Sequence, residues 1–456
     1  MVTNLSMPFI YLADLLIKLI MTNTAEIKVN DKKTIRGWAL FDWANSSYAL
    51  VITAAIFPVY FLNVTDPEIN LFGTKLSNST LYSYAISAAY FLIALFSPLL
   101  SGIADFGGRR KTFLRVFTTV GALSCIALVF FKGMPQIELG VIAFMLATIG
   151  FAGGLVFYNS YLPLISTEDQ YDIVSAKGFA YGYVGSVILL VINLLVINHY
   201  EFFDLKDGSA AARVAFVMVG VWWIGFAQIT FRRMPDDVKV GRKSDLVKKG
   251  YQELRKIWHR AKDFVYLKKF LLAFFFYSAG AQTVIFLAAI FAEKELSFPA
   301  DKMIILVIIL QLVGIVGAYL FAKISKIKGN KFAIISILFI WIGICVAAYF
   351  VTKDVELYVV AGFVGMVMGG IQSMSRSTYS KLLPEGETDT TSFFSFYDVV
   401  EKVGIIVGTF AFGFVEFLTG SIRNSVLALT VFFIIGLMIM FTIKVQPANI
   451  ASDQGE

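Results

Sequence analysis

From Arg36 onward, apolar residues fall in long runs separated by short polar breaks. A helix needs about 20 mostly apolar residues to cross a bilayer, and only helices or closed barrels satisfy their backbone polar groups there. The runs predict twelve spanning helices, at about 36–62, 79–104, 112–131, 137–162, 176–198, 211–231, 269–292, 301–322, 332–351, 356–383, 393–418 and 423–443. The breaks carry turn and charge signals, as in Gly107-Gly108-Arg109-Arg110-Lys111 and Lys328-Gly329-Asn330-Lys331.

The first run, RGWALFDWANSSYALVITAAIFPVYFL, holds Asp42 and Asn45 at membrane depth. Asp42, Asn45, Ala49 and Thr53 recur at helical spacing and predict one polar stripe. A carboxylate in such a helix costs roughly 2.5–3.5 kcal/mol on insertion scales, so it is expected to face protein or water. Later runs carry similar polar positions: Asn159, Gln282, Gln372 with Arg376, and Asp398, Glu401 and Lys402.

Charge placement orients the chain. With the N-terminus inside, the inner segments hold 28 Lys and Arg and the outer ones 8, so both termini are expected in the cytoplasm. The expected divisions are a cytoplasmic segment 1–35, a first six-helix group 36–231, a basic linker 232–268, a second group 269–444 and a cytoplasmic tail 445–456. Residues 1–20 read as an upstream extension without fixed structure, with an interfacial helix as the second reading. In the linker, Val247, Tyr251, Leu254, Trp258, Ala261 and Val265 share one face and basic residues the other, predicting a helix on the membrane surface; partner docking is the alternative.

Composition agrees: 58% of the 456 residues are hydrophobic, 16% are charged and mean hydropathy is +0.74, which excludes an ordinary soluble domain. The net charge of +7 is accounted for by the membrane-facing basic segments, so no nucleic-acid partner is expected. Cys125 and Cys345 lie far apart in apolar runs, and His199 and His259 fall in loops, so no metal site or cofactor is expected.

The halves repeat one another. Gly153-Gly154 followed by Pro163 and the acidic Glu168-Asp169 matches Gly369-Gly370 followed by Pro384 and Glu385-Gly386-Glu387; the next spans reach Gly185 and Gly404. This suggests duplicated bundles.

The segment SGIADFGGRRK resembles the signature of the major facilitator superfamily, matched here by Asp105, Gly108, Arg109, Arg110 and Lys111. Ser101 stands where the pattern has a glycine and Phe106 where it has a basic residue, and the second-half copy has Lys326 in place of the aspartate. FDWANSSYALVITAAIFPVYF, FYNSYLP and GGIQSMSRSTYSKLLP resemble the branch of autophagy-related vacuolar amino-acid effluxers and their bacterial relatives. The resemblance implies an all-α integral membrane protein of twelve helices in two six-helix bundles, a central cavity lined chiefly by spans 1, 4, 7 and 10, and alternating access.

Within that frame Asp42, Asn45, Asn159, Gln282, Gln372, Arg376 and Glu401 are the candidate solute or coupling residues. Asp105, Arg109, Arg110, Lys111, Asp398 and Lys402 are the candidate latch. Arg376 could fork onto a solute carboxylate or phosphate, or close a gate against Asp42, Asp398 or Glu401. Asp42 and Glu401 could carry a proton; Asp42 could equally be a fixed partner of Arg376. The amides could orient solute or simply join helices, and Tyr158, Tyr277 and Trp43 read as packing residues. The expected function is a secondary active transporter of a small organic, amino-acid-like solute, with a proton as candidate coupling ion. It is expected to be a monomer in a plasma or inner cell membrane. The alternatives are a receptor derived from a transporter and, less favoured, an intramembrane aspartyl protease using Asp398 and Asp42. No GxxxxGK[ST] phosphate loop is present to suggest a pump.

Overall fold

The computed structural model describes residues 28–71, 74–237, 252, 255, 264–296, 300–384 and 389–443. The first twenty residues, most of the linker helix, the acidic turn at 385–387 and the C-terminal tail lie outside that set. Within it, twelve long helices coincide with the twelve predicted spans. They are α1 (Lys32–Val64), α2 (Asn78–Gly107), α3 (Arg110–Phe130), α4 (Ile137–Asn159), α5 (Tyr171–Asn198) and α6 (Gly208–Arg233). After the linker come α7 (Val265–Leu296), α8 (Ala300–Lys328), α9 (Asn330–Phe350), α10 (Asp354–Lys381), α11 (Thr390–Thr419) and α12 (Ile422–Phe441). One addition is a small antiparallel hairpin, β1 (Glu68–Leu71) with β2 (Thr74–Ser77), between α1 and α2.

The helices outrun the apolar stretches where polar caps extend them. Asp31 accepts from the Thr34 N–H (2.8 Å) and starts α1 four residues before Arg36. Beyond Ser47, α1 winds into wider π turns from Tyr48 to Ile56. Ala49 and Thr53, the last two positions of the predicted stripe, fall within these wider turns, where α-helical spacing does not hold.

Two lobes follow from how the apolar faces pair. One core is built almost wholly from α7–α12, including Phe274, Trp341 and Phe433, and two more are built from α1–α6 around Phe57, Phe144 and Tyr158. The repeat signals mark equivalent joints: Gly185 of α5 packs against Trp43 of α1, and Gly404 of α11 against Phe275 of α7. The lobes meet along α2–α11, α5–α8 and α5–α10. Large apolar side chains such as Phe91, Leu123, Phe339 and Phe410 are exposed on the outer walls, as a lipid-facing surface requires. This is a multi-pass membrane protein.

Candidate functional site

Asp42 sits on the inner face of α1, beside a stacked pair of aromatic side chains. Trp38, one turn earlier, stacks on Tyr158 of α4 at 4.5 Å and donates its indole N–H to the Tyr158 carbonyl (3.0 Å). The Tyr158 hydroxyl donates to Asp42 Oδ2 (2.7 Å). Across the gap, α5 presents Gly178, where an added Cβ would lie 2.6 Å from Asp42 Oδ2 and 2.8 Å from Arg376 Nη2. Only a residue without a side chain lets α5 approach this closely.

Arg376 crosses from α10 into this seat. Its Nη1 donates to Asn159 Oδ1 (3.1 Å) and, at 3.4 Å, to Asp42 Oδ2; Nε donates to Ser175 Oγ (2.9 Å) and Nη2 to the Ser175 carbonyl (2.8 Å). The guanidinium lies over Phe179 (4.2 Å), Trp38 (4.7 Å) and Tyr158 (5.5 Å). Both side chains of the pair are almost sealed, 3% exposed for Arg376 and 6% for Asp42. Of the partners left open by sequence, Arg376 takes Asp42 and neither Asp398 nor Glu401. It presents no free fork to a solute in this state, since four contacts occupy all three of its nitrogens.

Two further polar clusters tie the lobes together at the same end, the one bearing the basic loops. At the α2–α3 turn, Gly108 closes α2 with φ +60°, a left-handed conformation that suits glycine. Asp105 there pairs with Arg110 (2.9 Å), and both reach α11: Asp105 Oδ2 accepts from the Ser392 N–H (2.7 Å) and Arg110 Nε donates to Thr391 Oγ1 (2.5 Å). Arg109 is exposed, outside this contact. Lys111 is buried but points the other way, to the Met234 carbonyl and Asp236, while Asp237 caps the start of α3 through the N–H groups of Lys111 and Thr112. The Lys111 ammonium holds the Asp236 carboxyl below its ordinary range.

The second cluster gathers on Asp172, at the start of α5. Lys381 of α10 donates to its Oδ2 (2.8 Å), as does Ser325 of α8 (2.8 Å), and Asn330 of α9 donates to Oδ1 (2.7 Å). Asp172 and Lys381 are each 7% exposed.

Deeper between the lobes lies a half-buried polar tier. Gln372, one turn inward of Arg376, accepts from the Tyr183 hydroxyl (2.8 Å), two turns inward of Ser175 on α5. Gln282 of α7 donates to Glu401 Oε1 (3.1 Å), and Lys402 donates to Asp398 Oδ1 (3.0 Å) and Glu401 Oε2 (3.3 Å) while facing the ring of Tyr90 on α2. Glu401 is 24% exposed, whereas Asp398 Oδ2 is buried without a hydrogen-bond partner among the described residues. Asn45 is also buried, and its amide meets no partner among the described residues. It does not join Arg376.

Residues 30–452 match the family model described as "Vacuole effluxer Atg22 like". The chain belongs to this family. Among its relatives, the Bacillus subtilis (strain 168) protein described as "Uncharacterized MFS-type transporter YxiO" is 28% identical over 424 residues, spanning 92% of this chain and 97% of that one. Autophagy-related protein 22 of Eremothecium gossypii is 23% identical, spanning 92% and 93%. By fold, the chain is similar to the human organic anion transporter MFSD10, with TM-score 0.66 at 10% identity over 91% of this chain and all of that one. It is also similar to the major facilitator superfamily transporter FucP, with TM-score 0.63 at 12% identity over 90% and 99%.

As an Atg22-like member of the major facilitator superfamily, the protein is a transporter and not an enzyme. The protease alternative fails on geometry as well: Asp42 and Asp398 are held by different bases, Arg376 and Lys402. Sequence reasoning missed Trp38, Ser175 and Phe179 around Arg376, and the whole Asp172 cluster. It took Tyr158 for packing, although its hydroxyl orients Asp42. The available signal was spacing: Ser175 and Phe179 sit one turn apart on the α5 face that also carries Gly178 and Gly182.

Proposed function

We propose that the protein is a secondary active transporter working by alternating access, caught here with its cytoplasmic side shut. The excess of Lys and Arg on the loops at the shut end supports that side being cytoplasmic. The observation that carries the reading is Arg376: a permanently charged side chain of one lobe, buried in a socket made by the other. A buried inter-lobe ion pair of this kind is a two-state element whose making and breaking can alternate with access.

The solute's place is the tier formed by Gln282, Glu401, Gln372 and Tyr183, open enough to leave Glu401 partly exposed. Two carboxylates around the single ammonium of Lys402 leave one negative charge uncompensated there, which makes Glu401 and Asp398 the coupling site for a proton. Asp42, engaged by Arg376 and Tyr158, acts in the gate. A small amino-acid-like solute matches the paired amide and charged groups and the kinship with effluxers.

Counterflow of labelled amino acids in proteoliposomes tests this. Exchange is expected for the wild-type protein; a protein that binds its solute but never exchanges it would be a receptor. Glu401→Gln is expected to keep counterflow and lose accumulation driven by a pH gradient. Unchanged gradient-driven accumulation would end the proton assignment.

A further inference from the structure

Every partner of the Arg376 guanidinium belongs to the first lobe: Asp42 and Trp38 on α1, Tyr158 and Asn159 on α4, Ser175 and Phe179 on α5. The second lobe contributes the cation and the Ser373 carbonyl, which accepts from the Ser175 hydroxyl (2.8 Å). Three aromatic faces, one carboxylate, an amide oxygen, a hydroxyl and a carbonyl together make a receptor for a flat or compact organic cation. Part of the receptor is braced within the first lobe: Trp38 stacks on Tyr158 and Tyr158 donates to Asp42, contacts that do not involve the arginine.

We infer that this socket binds the cationic group of the transported solute, an ammonium or guanidinium, which replaces Arg376 when the cytoplasmic side opens. The inference rests on the alternating-access reading above. Withdrawal of α10 takes the arginine out and leaves Asp42, walled by Trp38 and Tyr158, without its cation. A buried carboxylate does not stay uncompensated. A solute cation entering from the parted lobes meets the same acceptors that held the guanidinium. Arg376 and the solute thus compete for one seat, so loading of the solute and opening of the gate favour each other. An anionic solute gains nothing there: the carboxylate repels it, and the shut gate leaves no arginine nitrogen unoccupied.

The test uses the full-length protein in lipid nanodiscs, with methylguanidinium and ethylammonium chloride as probes. Sodium chloride at equal ionic strength and uncharged methylurea are the controls. Arg376→Ala is expected to show a saturable rise in Tm with either cation and none with the controls, lost again in the Arg376→Ala/Asp42→Asn double variant. In a second arm Arg376 is kept and Ser392→Cys reports opening; Ser392 is buried at the lobe contact and its hydroxyl bonds to nothing among the described residues. Either cation is expected to speed thiol labelling there several-fold, and Asp42→Asn to abolish the effect. This arm stands even where Arg376→Ala does not fold.

Stabilisation of Arg376→Ala without faster labelling would reduce the socket to a seat for the arginine and overturn the inference. So would a Tm that follows pH but ignores both cations, since a proton would then be the replacement. If Ser392→Cys is never labelled, even in an Asp172→Asn background that unlocks the same side, the alternating-access reading itself fails.

Discussion

The Asp105 and Asp172 clusters both join the lobes at the end bearing the basic loops, but they distribute their charges in opposite ways. Asp105 and Arg110 belong to the same lobe, and their ion pair survives when the lobes part. What crosses to α11 is a pair of hydrogen bonds, to the Ser392 N–H and the Thr391 hydroxyl. Asp172 and Lys381 belong to different lobes, so opening must split the ion pair itself. In the proposed cycle the first arrangement fixes how the lobes dock, and the second, with Asp42–Arg376, sets how hard they are to separate. Hydrogen bonds to charged groups contribute about 1.5–3 kcal/mol each, whereas removing one member of a buried pair costs about 3–5 kcal/mol.

The largest effect is therefore expected at Asp172. Asp172→Asn takes the carboxylate from Lys381, leaving it the Asn330 amide oxygen (2.8 Å), and should shift the protein toward the open state by about 3–5 kcal/mol. Spin-label distances between the lobes would read this, and Asp172→Asn/Lys381→Met should recover much of the loss. Equal effects of the single and double variants would erase the distinction between the clusters. Gly178→Ala comes next: its Cβ would press on Asp42 Oδ2 and Arg376 Nη2. It should cut counterflow strongly while leaving the melting temperature of the first lobe's apolar core nearly unchanged.

Asp105→Asn keeps an acceptor for the Ser392 N–H and loses only the charge, so a shift of about 1–2 kcal/mol is expected. Thr391→Ala, which removes one acceptor of Arg110, should cost about 1 kcal/mol. A Thr391→Ala effect matching Asp172→Asn would mean that the motif turn, rather than the split pair, sets the equilibrium.

The smallest effect concerns pH. The Asp236 carboxyl is depressed by Lys111, so its contribution is present above the ordinary carboxylate range and fades as pH falls through the depressed value. Asp236 is largely exposed, which screens the pair. Acid melts of Asp236→Asn should differ from wild type only slightly, and only above that transition.

The twelve helices were legible because lipid exposure forces each span into an apolar run, and the structure keeps all twelve. Asp42 and Arg376 were legible for the related reason that a charge inside such a run stands out. Their mutual pairing was not, since it joins positions on separate lobes and depends on how the lobes dock. Asp172 and Lys381 gave no signal because a charge at a helix end looks the same whether it meets water or another helix. Lys381 read simply as one of the inner basic residues. Arg109 and Lys111 matched the motif by type, yet one lies in solvent and the other faces α6. Asn45 belonged to a predicted polar stripe that the π turns interrupt.

Asp237 caps α3 from the first residues of the linker, just after α6 ends. The connection between the two halves is thus moored at its near end to the very helix that carries Arg110. Tension on that connection is delivered to the foot of α3, beside the motif turn, as well as to the end of α6.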